Sequence, residues 1–127
     1  MEIAQAQHIV GRDVIKAVII KTNDKLLMCV LPATHLIDFT KLKAALNTND
    51  IQLATEGQVA MLFPNFEVGA MPPFGQLANL KVYADKSLEE NESVVFNAGS
   101  HREMIKIKFK DYLRLVKPTF ADIGKHI

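Results

Sequence analysis

Three groups of residues in this 127-residue chain combine types and spacing that could carry chemistry. Lys16 lies inside the run Val14 to Lys21 (VIKAVIIK), which is rich in β-branched residues. Strand alternation puts it on the face of Val14, Val18 and Ile20, with Ile15, Ala17 and Ile19 on the other. An ammonium among such neighbours must snorkel to water, find a carboxylate, or line a cleft that meets an anion. The second group is Gly69-Ala70-Met71-Pro72-Pro73-Phe74-Gly75. Its prolines fix φ and remove two amide donors, and its glycines allow sharp turns and close approach of a ligand. Such a segment is rigid and exposes carbonyls, which suits a shaped pocket, and it equally suits an ordinary crossover connection. The third group, Asn97-Ala98-Gly99-Ser100-His101, gathers an amide, a hydroxyl and an imidazole. Those groups could position a water or a ribose hydroxyl. Asn and Gly also make turns with no further duty.

Other chemistries lack their residues. His8, His35, His101 and His126 are far apart, and neither a His-x-x-x-His nor a Cys-x-x-Cys pair occurs, so no metal site is expected. Cys29 sits among Leu27, Met28, Val30 and Leu31, and reads as a reduced core thiol of a cytoplasmic protein. No Gly-x-Ser-x-Gly elbow supports a serine hydrolase. The Gly69 segment lacks the glycine pattern and the Lys-Ser/Thr of a phosphate loop, so a nucleotide triphosphate site is not indicated. The scattered aromatics form no RNA-recognition signature. No apolar run approaches the roughly 18 residues of a membrane span, and the N-terminus lacks the order of a signal peptide.

The elements that must position these groups follow from patterning. A formal net charge of +1 and 49% hydrophobic residues fit one compact domain and argue against disorder. The charge is uneven: residues 101–127 hold seven Lys/Arg against three acids, a quarter that could face a phosphate backbone or simply be a solvated face. Residues 2–7 read as a short helix. Val14 to Lys21 and Leu26 to Leu31 read as a hairpin across Thr22-Asn23-Asp24. Asp38 to Leu46 reads as a capped helix with Phe39, Leu42 and Leu46 on one stripe. Ile51 to Ala54 is a short strand, and Thr55-x-x-Gln58 boxes a helix that runs through Leu62. Residues 64–79 are irregular, Leu80 to Ala84 is a strand, and Ser87-x-x-Glu90 reads as a second capping box. Val94 to Phe96 and Met104 to Lys108 are strands, and Phe109 to Val116 is a helix ahead of Pro118. Short strands and helices without regular βαβ alternation favour an α+β fold.

In chain order, HIVGR (8–12), VIKAVIIK (14–21), VLPATH (30–35), LFP (62–64), GAMPPFG (69–75), FNAGSH (96–101) and RLVKP (114–118) form a spaced series. Together they resemble the YbaK/prolyl-tRNA-synthetase-associated domain family, the free-standing aminoacyl-tRNA deacylases. The resemblance spans residues 3 to 120, and its specificity lies in the combination. It implies a curved, mostly antiparallel, barrel-like sheet surrounded by short helices. The whole of 1–127 is expected to be a single such domain, short at its N-terminus relative to the family. It also implies trans-editing without cofactor or metal: hydrolysis of the ester that joins a wrong amino acid to the 3′ CCA end of a tRNA. Lys16 occupies the position of the family's key lysine. Gly69, Ala70, Met71, Pro72, Pro73 and Gly75 would bound the aminoacyl pocket, with Asn97, Gly99, Ser100 and His101 beside it. Ala17 stands where the family often has Thr or Asn, removing a polar contact near the substrate. The activated ester chiefly needs orientation and charge stabilisation, with water or a substrate hydroxyl as nucleophile. The alternative reading is a non-catalytic module of the same fold that binds a tRNA end or a small ligand.

Overall fold

A computed structural model describes residues 4–5, 11–67 and 69–127. β-Branched density makes a long hairpin from β2 (Ile15–Thr22) and β3 (Lys25–Pro32), in register from Ile15 opposite Pro32 to Thr22 opposite Lys25. Asn23 and Asp24 close it at φ 49° and 63°, the left-handed pair whose twist matches the flanking strands. Around this hairpin lie β1 (Ala4–Gln5), β4 (His35–Ile37), β5 (Gln52–Leu53), β6 (Val82–Asp85), β7 (Ser93–Asn97), β8 (Met104–Lys108), β9 (Thr119–Ala121) and β10 (Gly124–His126). The described pairings make three sheets, ordered β1-β8-β7, β10-β4 and β5-β2-β3-β6-β9. Five of the seven strand pairings are antiparallel; β3–β6 and β6–β9 are parallel.

The mixed α and β, mostly antiparallel character is as expected from the sequence. The barrel is not: the described strands form no closed barrel, and a single parallel bridge from Val14 to Val95 links the hairpin to β7. The physical reason is where the second edge of β2 finds partners. Besides Val14, it meets β5 at Ile20 and Lys21, and Ile19 accepts the Ala54 amide at 3.0 Å. No described strand pairs residues 15–18 on that edge.

Alternation along the hairpin divides the interior into two layers. Ile15, Ile19, Met28 and Val30 pack with Phe63, Met71, Phe96, Ile107 and Tyr112. On the other face Ile20, Leu27, Cys29 and Leu31 pack with Ile37, Leu42 and Ile123. Helix α1 (Phe39–Leu46) covers this second layer through Leu42, with Asp38 capping it by accepting the Lys41 amide at 3.1 Å. In α2 (Glu56–Leu62) both bonds of the Thr55/Gln58 box are present, at 3.1 and 2.9 Å. Helix α3 (Phe109–Val116) drops Tyr112 into the first layer.

Two local readings are corrected. Ala4 and Gln5 pair with β8 as a strand rather than helix, and the rest of 2–7 lies outside the described residues. At Lys86–Glu90 a short 3-10 turn forms, but Asp85 caps it and not Ser87: its carboxylate accepts from the Ser87 amide and hydroxyl. A side chain that also reaches strand amides from a buried position outcompetes the more exposed Ser.

Those strand amides are Ile123 and Gly124, at 3.0 and 2.9 Å from Asp85 Oδ1. Through Asp85 the segment leading into β10, which the sequence pattern did not reveal, is fastened to β6. Burial alone would raise the Asp85 pKa, yet the Ser87 hydroxyl and three amides hold it below the ordinary carboxylate range. A depressed folded value gives stability that is present above the unfolded pKa of about 3.9 and is lost as pH falls through the folded one. Asp85→Asn should therefore cost about 2–4 kcal/mol at neutral pH, because buried amides lose an anionic acceptor. It should also flatten the loss of stability below about pH 4. Urea unfolding of both proteins between pH 2 and 7 measures this, and parallel curves would contradict it.

Candidate active site

The glycine-proline segment and the turn after β7 are bound to each other. The Gly99 amide donates to the Ala70 carbonyl at 2.9 Å, and the Glu67 amide donates to the Gly99 carbonyl at 2.8 Å. Glu67 Oε2 takes the His101 amide at 3.2 Å. Gly99 adopts φ +98° with the Phe66 ring against its Cα, where a Cβ would collide. Gly69, at φ +81°, opens toward the His101 imidazole, whose Cε1 would lie 3.6 Å from an added Cβ. Ser100 is absorbed by the turn itself, its hydroxyl accepting the Arg102 amide at 3.1 Å.

Beyond Ala70 the segment turns inward. Met71 is buried in the first core layer, and the Pro73 carbonyl accepts the buried Tyr112 hydroxyl at 2.7 Å. The Pro72 carbonyl accepts the Phe74 amide at 2.8 Å. Gly75 presses on the Leu80 carbonyl and the Val82 side chain with no room for a Cβ. The carbonyls of residues 70, 72 and 73, expected to face a pocket, are therefore spent inside the protein. Burial leaves the Tyr112 phenol well above its usual pKa.

What faces the open space is carbon. A cavity of about 320 Å³ is walled by Phe66, Pro72, Phe74 and Leu77 from the irregular segment. Phe96, Ala98, Ile105 and Ile107 of the β7–β8 hairpin complete it. Phe96 and Ile105 are cross-strand partners, and Phe74 meets Phe96 edge-on with centroids 5.3 Å apart. Pro72, Phe74, Phe96 and Ala98 lie in motifs the sequence singled out, whereas Phe66, Leu77, Ile105 and Ile107 escaped it. The alternation of Ile105 and Ile107 with Lys106 and Lys108 is a signal that could have found two of them.

Lys16 is positioned by a different element. It stands opposite Leu31 in the hairpin, hence on the side of Ile20 rather than that of Ile15, Ile19 and Met71. Its ammonium is half-buried and lies 3.5 Å from the Ala33 carbonyl; among the described residues no carboxylate pairs with it. Desolvation lowers its pKa from the ordinary lysine value. Beyond Ala33 lies a polar groove of about 510 Å³ whose walls include Arg12, Pro32, Thr34, His35 and Lys106. Lys108 and Lys110 line another groove, and Arg114 is engaged by Asp111 at 3.1 Å, so the basic C-terminal quarter spreads over several surfaces. Cys29 is buried and unbridged, with burial pushing its thiol up to about 12. Among the described residues no cluster of three or more metal-ligating side chains occurs, and no helix is long and apolar enough to cross a membrane.

A small mixed α and β domain with a tied rim around one apolar cavity is thus a pocket domain, and its sequence places it further. The family profile of the aminoacyl-tRNA editing domain matches residues 1–115, and the chain belongs to that family. It is 30% identical over 99 residues to the multifunctional Ser/Thr-tRNA deacylase ProXp-y of Escherichia coli K12, covering 77% of this chain and 59% of the relative. It is 29% identical over 94 residues to the proline–tRNA ligase of Thermosipho melanesiensis, covering 74% of this chain and 16% of the ligase. The chain thus spans less than two-thirds of the deacylase and about a sixth of the ligase. A crystal structure described as a candidate trans-editing enzyme for prolyl tRNA synthetase superposes with a TM-score of 0.81 at 21% identity, over 91% of this chain and 73% of that one. At that identity the likeness is one of fold.

The latch around Gly99 is open to a direct check. Gly99→Ala adds a Cβ at positive φ against Phe66 and should cost about 2–3 kcal/mol. Gly57→Ala, exposed in α2 with only the Thr55 hydroxyl near its Cβ at 3.8 Å, should instead gain up to about 1 kcal/mol. Urea midpoints of the two variants moving in the same direction would contradict the latch.

Proposed function

We propose that the chain is an aminoacyl-tRNA deacylase, hydrolysing the ester between a wrong amino acid and the 3′ CCA end of a tRNA. Membership of the editing-domain family supports the reaction class, as does the deacylase named among its relatives. The observation that carries the reading is Lys16: a half-buried ammonium 3.5 Å from the Ala33 carbonyl, with no carboxylate paired to it among the described residues. Partly dehydrated, it attracts an anion more strongly than a mobile surface lysine would.

Lys16 anchors the phosphate of the terminal nucleotide or the developing oxyanion. From the Gly69–Gly75 loop, Pro72 and Phe74 face the amino acid from one side, while Ala70, Met71, Pro73 and Gly75 are buried and shape the loop behind them. Asn97, Gly99, Ser100 and His101 form the other side, where Asn97 or His101 orients the nucleophilic water. The water oxygen attacks the ester carbonyl carbon, the bond to the ribose oxygen breaks, and that oxygen leaves with the proton the water gives up. An aminoacyl ester is already activated, so orientation and electrostatic stabilisation suffice.

Lys16→Ala should keep the wild-type circular dichroism and lower single-turnover deacylation by about 10²–10³-fold, the range for losing one electrostatic stabiliser. Undiminished hydrolysis across a panel of mischarged tRNAs would remove Lys16 from the reaction. If the wild type binds tRNA in a saturable, salt-sensitive way without turnover, the chain is instead a non-catalytic binding module.

A further inference from the structure

The same carbon-walled cavity bears on which amino acid is removed, an inference that rests on the deacylase reading above. Its 320 Å³ exceeds the roughly 150 Å³ apolar cavity that accommodates benzene, so a branched aliphatic or an aromatic side chain has room. The carbonyls of Ala70, Pro72 and Pro73 are engaged by the Gly99 amide, the Phe74 amide and the Tyr112 hydroxyl, and the residues that wall the cavity carry no polar side chain. A polar side chain entering there would shed its water and find no partner, whereas an apolar one gains by the area it buries. The cavity adjoins two of the three groups of the proposed site: Pro72 and Phe74 belong to the loop, and Ala98 belongs to the turn.

We infer that this cavity receives the side chain of the esterified amino acid and selects medium-sized apolar residues, of the size of valine to leucine or methionine, over their polar isosteres. Ala98 is then a specificity-determining residue. A larger side chain there shortens the cavity without touching Lys16 or the Gly99 latch.

The test compares deacylation of valyl- with threonyl-tRNA, and of leucyl- with alanyl-tRNA, by the wild type and by Ala98→Leu. The wild type should favour the valyl over the threonyl ester by about 10- to 100-fold, the discrimination an apolar pocket achieves against an added hydroxyl. Ala98→Leu should lower the leucyl-to-alanyl rate ratio about 10-fold, with unchanged circular dichroism. Hydrolysis that favours the threonyl ester, or a rate ratio indifferent to Ala98→Leu, overturns the cavity assignment and leaves the deacylase reading standing. If no ester is cleaved, the deacylase reading fails and the cavity is judged by titration of the labelled protein. Saturable amide shifts at Phe96, Ala98 and Ile105 with leucinamide but not asparaginamide sustain it. Equal shifts, or none, overturn it.

Discussion

Gly99 holds two stretches of irregular chain together through its own amide and carbonyl, and the pocket exists because it does. The amide reaches Ala70, the carbonyl takes Glu67, and the backbone can do both only at φ +98°, a conformation open to glycine at little cost. With that latch closed, the carbonyls of Ala70, Pro72 and Pro73 are bonded within the protein, and the rim that remains is built from rings and branched carbons. Two prolines at 72 and 73 reinforce this, since neither brings an amide that would need a partner. Rigidity and apolarity of the cavity therefore have one cause, the internal satisfaction of the loop's polar groups.

Two partly or fully buried charged groups show how differently the fold treats charge. Asp85 is surrounded by donors, which outweigh the burial that would neutralise it, and the result is a structural tie between β6 and the approach to β10. Lys16 has a single carbonyl at 3.5 Å and pays for its burial with a lowered pKa. A group satisfied by its surroundings has no reason to meet a ligand, whereas an under-coordinated one is a candidate to do so. This contrast, more than the position of either residue in the chain, separates scaffold from site.

Much of the scaffold was legible because local chemistry dictated it. The β-branched run and the Asn23-Asp24 turn specify the hairpin, Asp38 and Thr55 mark helix starts, and Pro64 and Pro118 mark where helices have stopped. Long-range pairings were not legible. β4, β9 and β10 are three residues each, too short for a period to register, and they exist because Asp85 and the Ile37–Gly124 pairing hold them. The motifs at Gly69 and Asn97 could be singled out from their residue types, and their mutual binding is a tertiary fact that neither segment encodes alone. Lys16 was assigned its sheet face correctly by alternation. The rest of the cavity wall was hidden because Phe66, Ile105 and Ile107 look like ordinary core residues until the turn at Gly99 leaves space between them.

Whether the carbon-walled cavity takes the amino-acid side chain while Lys16 holds the nucleic-acid end is open to one direct measurement. A crystal structure with adenosine 5′-phosphate carrying leucine through a non-hydrolysable 3′-amide measures both halves at once. The account predicts the leucyl side chain between Phe74, Phe96 and Ile105, with a phosphate or carbonyl oxygen within hydrogen-bonding distance of Lys16 Nζ. A leucyl group lying in the polar groove beside His35, with the apolar cavity unchanged, would contradict it.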